Sequence, residues 1–269
     1  MRLRIQFRLT GKRSILPLNY QYPISAWIYK VLSSADDEFS QMLHENGYKT
    51  AEGKKFKLFT FSKLQFPNKT WKVIPKSDRM EVWSRNAYLT ISFHLPEQTE
   101  KFVVGLFQNQ KTFIGDKISG IEMQVENIEA IKTDIPNTES IILKSISSIV
   151  LGVDIKGEKN EQYVSPLHPE YKKLFLQNLA DKYEAIGKNF ISVKDLDFEV
   201  IKIHKNRKGD PKTELQKIKA FTSEQTEIRG HYFDFELKAP KEIIEIGLNS
   251  GFGSMNSLGF GFCKVIGVD

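Results

Sequence analysis

Five glycines fall within fifteen residues near the C-terminus, in the segment Gly247-Leu248-Asn249-Ser250-Gly251-Phe252-Gly253-Ser254-Met255-Asn256-Ser257-Leu258-Gly259-Phe260-Gly261. Glycine loses more conformational freedom on folding than any other residue. This density therefore implies a backbone that must adopt conformations a Cβ forbids, or approach another surface closely. One such use is a concave nest of main-chain N–H groups facing phosphate oxygens. A plain glycine-rich hairpin is the competing account, and spacing alone does not separate the two. Neither a Walker loop nor a dinucleotide fold fits. A Walker loop needs Gly-Lys-Ser/Thr opening a helix, whereas Phe262, Val265 and Ile266 continue here as a terminal strand.

The rest of the chain alternates strand and helix patterns. Residues 2–9 place Arg2, Arg4, Gln6 and Arg8 against Leu3, Ile5, Phe7 and Leu9, the period of two of a half-buried strand with a basic outer face. Pro23 suits a first helical turn, and Ile24, Ile28, Val31 and Leu32 follow at helical spacing. Asp36 or Asp37 can cap a second short helix carrying Phe39, Met42 and Leu43. Strand-like runs at 56–62, 80–84 and 88–94, a helical stretch at 98–108 and a strand at about 118–130 complete a first half. The polar segment Lys132 to Glu139 reads as a connection. A strand over Ile141 to Val150, a charged loop at 154–162 and a helix at 169–186 begin the second half. Strands at 195–204, 214–222 and 230–238, a short helix at 240–246, the glycine segment and a strand at 260–267 follow. Each half mixes about four strands with two helices. The expected class is therefore α+β, with two tandem ferredoxin-like β-α-β-β-α-β domains over 1–132 and 140–269.

Charge and cysteine usage narrow the partners. A formal net charge of +6 favours a polyanion without requiring one. The single cysteine, Cys263, excludes an internal disulfide and any multi-cysteine zinc site, which fits a reducing compartment. The N-terminal run interleaves Arg with apolar residues, unlike a signal peptide, and Ile141 to Val153 is too short to span a bilayer. A cytoplasmic protein without metal, membrane or small-molecule cofactor is expected.

The pattern Gly-Phe-Gly, five residues, Gly-Phe-Gly resembles the signature loop of the CRISPR-associated repeat-processing endoribonucleases, the "Cas six" family of the repeat-associated RNA-binding superfamily. The stretch Asn256 to Gly261 is an especially close match, and the resemblance extends over essentially the whole chain. Members often carry Lys or Arg between the two glycine clusters, whereas this chain has Ser-Met-Asn-Ser-Leu. Phosphate contacts from the loop would then come from backbone at Gly251, Gly253, Gly259 and Gly261, or from Ser254, Asn256 and Ser257. The resemblance also implies a catalytic set. Similar enzymes place a Tyr on the first helix, a His just after the second, and often a Lys opening a Lys-Leu-Phe-Thr strand. The matching residues here are Tyr29, His44 and Lys57. By residue pattern alone His44 equally suits a cap at a helix C-terminus, where a positive charge is favoured. Lys30 and Lys55 are substitutes for Lys57.

The chemistry implied is RNA cleavage by the RNA's own 2′-hydroxyl, leaving a 2′,3′-cyclic phosphate and a 5′-hydroxyl. It needs proton removal, proton donation and cover for developing charge, and no metal. Which of His44 and Tyr29 is acid and which base stays open. Further RNA contacts are expected from the basic tip Lys205, Arg207 and Lys208, within the run Ile201 to Lys219, and from Arg2 and Arg4 on the first strand. The partners implied are CRISPR repeat RNA, as precursor and mature guide, and a multi-subunit CRISPR effector complex. A non-cleaving repeat-RNA-binding subunit on the same fold is the alternative.

Overall fold

The structure, a computed structural model, describes every residue except 12–13, 109, 133–134, 136–139, 154–161, 190, 219–224 and 269. Most of the polar connection at Lys132 to Glu139, the charged loop 154–161, and Lys219 with the end of the 214–222 run lie outside the described residues. The chain forms two compact units: Met1–Asn46 with Phe61–Thr133, and Gly47–Thr60 with Asp134–Asp269. The segment 47–60, inside the 1–132 expected for the first half, thus packs with the second.

The first unit is built on β1 (Arg2–Leu9), α1 (Gln21–Ala35), α2 (Asp37–Glu45), β2 (Asn86–Phe93), α3 (Pro96–Gln108), β3 (Lys111–Gly115) and β4 (Gly120–Ile131). Its sheet runs β2-β1-β4-β3, with the chain beyond Phe61 along the outer side of β2, where Ser62 N–H donates to Thr90 O at 2.8 Å. β1 pairs antiparallel with both β2 and β4. Leu3, Ile5, Phe7 and Leu9 are buried, as the alternation requires. They meet the apolar stripe of α1, where Trp27 packs edge-on against Phe7 at 5.5 Å and Phe102 of α3 at 5.8 Å. A further small sheet pairs Ser14–Pro17 with Arg79–Val82 and Trp71–Val73, of which only the middle strand has a clear sequence signal.

The second unit comprises β5 (Ser140–Ser145), α4 (Tyr171–Ala185), β6 (Asp197–Ile203), β7 (Thr213–Ile218), β8 (Thr226–His231), β9 (Phe233–Lys238), α5 (Lys241–Ser250) and β10 (Cys263–Val268). Its sheet order is β6-β9-β5-β10, all antiparallel. That is the order in which the fourth, first, third and second strands of a β-α-β-β-α-β unit lie side by side, read from the far edge. The hairpin β7–β8 is inserted between the second and third strands. The expected run 230–238 is therefore two strands, broken at Tyr232, which leaves β8 for the insertion and β9 for the main sheet. An aromatic core fills the space under α4. Phe175 and Phe198 stack at 4.2 Å, and Phe235 meets Phe175 at 5.3 Å. The molecule is α+β with ferredoxin-like domains. No helix among the described residues is long and apolar enough to cross a membrane.

Candidate functional site

In the first unit, the junction of α1 and α2 brings Tyr29 and His44 together. α1 ends where Asp36 leaves the helical conformation, and the Asp36 carboxylate then accepts from Phe39 N–H at 2.9 Å as the N-cap of α2. Ser40 of α2 donates to the Tyr29 carbonyl at 3.0 Å, tying the two helices at that level. Ile28 and Leu43 are buried on the inner faces. Tyr29 lies beside that stripe, half-buried, while His44 is exposed in the last turn of α2. Their rings meet edge-on, with centroids 4.9 Å apart at 86°. The geometry presents an imidazole and a phenol on one rim.

Lys57 belongs to the second unit. The strand expected at 56–62 is interrupted there. Lys55–Phe56 pairs with Tyr48–Lys49, and a new strand starts only at Phe59. Between them Leu58, buried to 2% exposure, takes φ +54°, a conformation that is uncommon and strained for a residue with a Cβ. Lys54, Lys55 and Lys57 line a cavity of about 710 Å³ together with Ser254, Asn256 and Ser257.

The glycine segment closes around itself. Gly251, Gly253, Gly259 and Gly261 all have positive φ. A Cβ at Gly261 would stand 1.9 Å from the Phe252 carbonyl oxygen, and one at Gly253 would stand 2.4 Å from Val150 O. These glycines are buried, and the main-chain N–H groups of Gly251, Phe252, Ser254, Gly259 and Gly261 donate to Gly247 O, Gly261 O, Val150 O, Asn256 O and Ser148 O. Those donors are spent inside the fold, so they form no open nest. The phenylalanines explain the motif. Phe252 enters the aromatic core 5.3 Å from Phe235, and Phe260 packs with Val150 and Ile228. Asn256 knots the loop by donating to Phe252 O and Phe260 O, each at 3.1 Å. The loop side chains that face the cavity are Ser254, Met255, Asn256 and Ser257.

Lys182 of α4 is the residue that sequence reasoning missed. It is 1% exposed, and its Nζ donates to Gly251 O at 2.6 Å, Gly253 O at 2.8 Å and Asn256 Oδ1 at 2.8 Å. The loop lacks a cation of its own, and one reaches it from the neighbouring helix. Burial pushes the Lys182 ammonium down to about 7, opposed in part by the Cys263 side chain, while the three oxygens satisfy its donors. On α4 a lysine at this position carries no local mark distinguishing it from Lys172 or Lys173.

The remaining candidates are scattered. Lys205, Arg207 and Lys208 are exposed on a turn closed by the Lys205–Pro211 bridge, where Asn206 Oδ1 accepts from Lys208 N–H at 2.8 Å. Arg4 is exposed and lies over the Tyr88 ring at 4.6 Å. Arg2, expected on the same open face, is only 7% exposed, because alternation sets which face a side chain leaves by and not what covers it. Among the other histidines, burial holds His94 down to about 4 and lowers His231, while His204 meets Asp234 at 2.6 Å. His168 accepts from Glu170 N–H at 3.2 Å in the turn just ahead of α4. Among the described residues no group of three or more His, Cys, Asp or Glu is placed to hold a metal ion.

Known proteins share this architecture from end to end. Residues 15–129 match the family "CRISPR-associated protein Cas6, N-terminal" and residues 129–265 match "CRISPR associated protein Cas6, C-terminal". The chain is 29% identical over 265 residues, 96% of its length and 91% of the relative's, to the "CRISPR-associated endoribonuclease Cas6 1" of Methanocaldococcus jannaschii. A solved structure titled "CRISPR associated protein Cas6" superposes with a TM-score of 0.71 at 28% identity, covering 99% of both chains. Another, titled "An RAMP protein binding different RNA substrates", superposes at 0.79 and 21% identity over 99% of this chain and 100% of that one. With both halves matched in order, the chain belongs to the Cas6 family of CRISPR-associated proteins.

Proposed function

We propose that this protein is an endoribonuclease that cuts CRISPR precursor RNA within its repeats, without a metal, to produce guide RNAs. The observation that carries the reading is the edge-on pairing of Tyr29 with the exposed His44 at 4.9 Å. It is supported by family membership and by a relative that is itself named an endoribonuclease.

RNA supplies its own nucleophile. One side chain removes the proton from the 2′-hydroxyl, whose oxygen attacks the adjacent phosphorus. The bond to the 5′-oxygen breaks, and the second side chain protonates that oxygen. The products carry a 2′,3′-cyclic phosphate and a 5′-hydroxyl. An imidazole suits proton exchange near neutral pH, and each well-placed acid or base contributes about 10²- to 10⁴-fold. A phenol donates a hydrogen bond or a proton. Lys57 is proposed as the cation for the developing phosphorane charge, a task that favours a fixed ammonium.

RNA binding is assigned to Lys205, Arg207, Lys208 and Arg4, and to Ser254, Asn256 and Ser257 on the cavity wall. Gly251, Gly253, Gly259 and Gly261 shape that wall from within. Arg2 enters this proposal only as a buried support of the strand that carries Arg4. The cellular setting proposed is the cytoplasm, with the product passed to a multi-subunit effector complex.

A repeat RNA whose cleavage-site 2′-hydroxyl is replaced by hydrogen tests the reaction class. It should bind as tightly as the all-ribose repeat and remain uncut. Cutting of that substrate would remove the RNA as nucleophile.

A further inference from the structure

In the sheet of the second unit, Phe233 and Phe235 of β9 face the aromatic core under α4, so Asp234 between them leaves by the opposite face. The register fixes its neighbours there. Lys202 of β6 lies directly opposite Asp234 on one side, and Lys144 of β5 on the other. Lys264 of β10 lies directly opposite Lys144. One row across the sheet therefore reads Lys202, Asp234, Lys144, Lys264, about 14 Å from end to end at ordinary strand spacing. The alternation agrees. Leu143, Ser145 and Cys263 beside the row are buried, whereas Lys202 and Lys264 are exposed and Lys144 is half-buried. The Asp234 carboxylate is hydrogen-bonded to His204 Nε2 at 2.6 Å. Among the described residues none of the three lysines makes an ion pair.

Lysine on an edge strand is an ordinary guard against stray strand pairing, and β6 and β10 are edges. Lys144 is different. It sits on a central strand directly beside Lys264, an arrangement that like charges disfavour. The row holds a single carboxylate, which His204 engages, so an excess of positive charge is left for an outside anion. The strip is one row wide. Next along the strands Glu199 stands opposite Glu236, which Ser140 and Lys238 already engage. In the other direction β6 runs through His204 into the exposed turn that carries Lys205, Arg207 and Lys208. A narrow line of ammonium groups suits a phosphate backbone, which it grips without reading sequence. We propose that this row is a phosphate-binding strip for an extended single strand of the repeat RNA. The strand crosses the sheet face from that turn to β10, with phosphates at Lys202, Lys144 and Lys264. The inference rests on the RNA-binding part of the proposed function and is independent of which groups perform the chemistry.

The test is the salt dependence of equilibrium binding of an uncleavable repeat RNA, 2′-deoxy at the cut. Each phosphate contact on a single strand contributes about 0.7 to the slope of log affinity against log salt. Lys144→Gln, Lys202→Gln and Lys264→Gln should each lower that slope by about this amount. The triple variant should lower it by about 2, which is about a hundredfold in affinity at 0.1 M monovalent salt and fades toward 1 M. Lys173→Gln, on the exposed side of α4, should leave the slope unchanged. Urea midpoints of Lys144→Gln and Lys264→Gln should equal or exceed that of wild type, because each relieves a like-charge pair. At saturating RNA the triple variant should cut the all-ribose repeat at the wild-type rate. An unchanged slope in the triple variant, or an equal fall in Lys173→Gln, overturns the strip. Midpoints that fall together with affinity assign the lysines a structural role and overturn it as well. Wild type that fails to bind repeat RNA at all overturns both this inference and the proposed function. Failure to cut, with the slope pattern intact, overturns only the latter.

Discussion

Asn256→Ala isolates what holds the glycine segment in shape. The amide donates to the carbonyls of Phe252 and Phe260 and accepts from the Lys182 ammonium. Truncation strands the Phe252 carbonyl oxygen, at about 1 kcal/mol if water reaches it and up to about 3 if it does not, whereas Phe260 O still accepts from Thr60 Oγ1 at 2.9 Å. It also removes one of three acceptors from a buried cation, a charge-assisted bond worth about 1.5–3 kcal/mol. Asn256 lines the cavity, so water can enter and the Phe252 carbonyl loss falls at the lower end. The expected net loss is about 2.5–4 kcal/mol in the second unit. Urea titration followed by far-ultraviolet dichroism measures it, and amide exchange at Gly261 and Phe252 locates it. Asn256→Asp keeps the acceptor for Lys182 and loses both donors, so it should fall between wild type and Ala. A loss under 1 kcal/mol for Ala, with unchanged exchange at those amides, would refute the view that Asn256 knots the loop.

Other expectations follow from single geometric facts. Gly261→Ala places a methyl 1.9 Å from Phe252 O at φ +73°, so it should destabilise by at least about 2 kcal/mol in the same titration. His94 is held to about 4 against an ordinary 6.5, so between those values the unfolded chain binds a proton that the folded chain refuses. Stability should therefore fall by up to about 3 kcal/mol as pH drops from 6.5 to 4. His94→Gln should flatten that part of the urea-midpoint profile relative to wild type.

Short-range physics made much of the scaffold readable in advance. The period-two run of β1, the apolar stripe of α1 and the Asp36 cap of α2 are each written within ten residues, and the structure shows all three. What escaped depends on distant partners. Nothing near Leu58 signals a positive φ, so the run 56–62 reads as one strand and its central kink goes unseen. The same kink belongs with a segment that packs against the second unit, which local pattern cannot assign. α5 runs to Ser250, past the expected end at 246, because Gly247 inside the helix leaves room for the Phe252 ring; a Cβ there would lie 2.3 Å from it. Lys182 looks like a solvated helix lysine until the loop carbonyls gather around it. The glycine motif was legible as an anomaly, but its meaning lay in the two phenylalanines it seats. Tyr29 and His44 were paired by resemblance, and only the α1–α2 junction shows why their rings meet.

The central claim is that His44 takes part in metal-independent cutting of repeat RNA. The direct measurement is single-turnover cleavage of the cognate repeat in excess EDTA by wild type and His44→Ala, with binding measured alongside. Wild type should cut under EDTA, and His44→Ala should lose about 10²-fold or more in rate while its affinity for the repeat stays within about threefold. Undiminished cutting by His44→Ala would contradict the account, and binding without cutting by wild type would identify a non-cleaving RNA-binding member of the same fold.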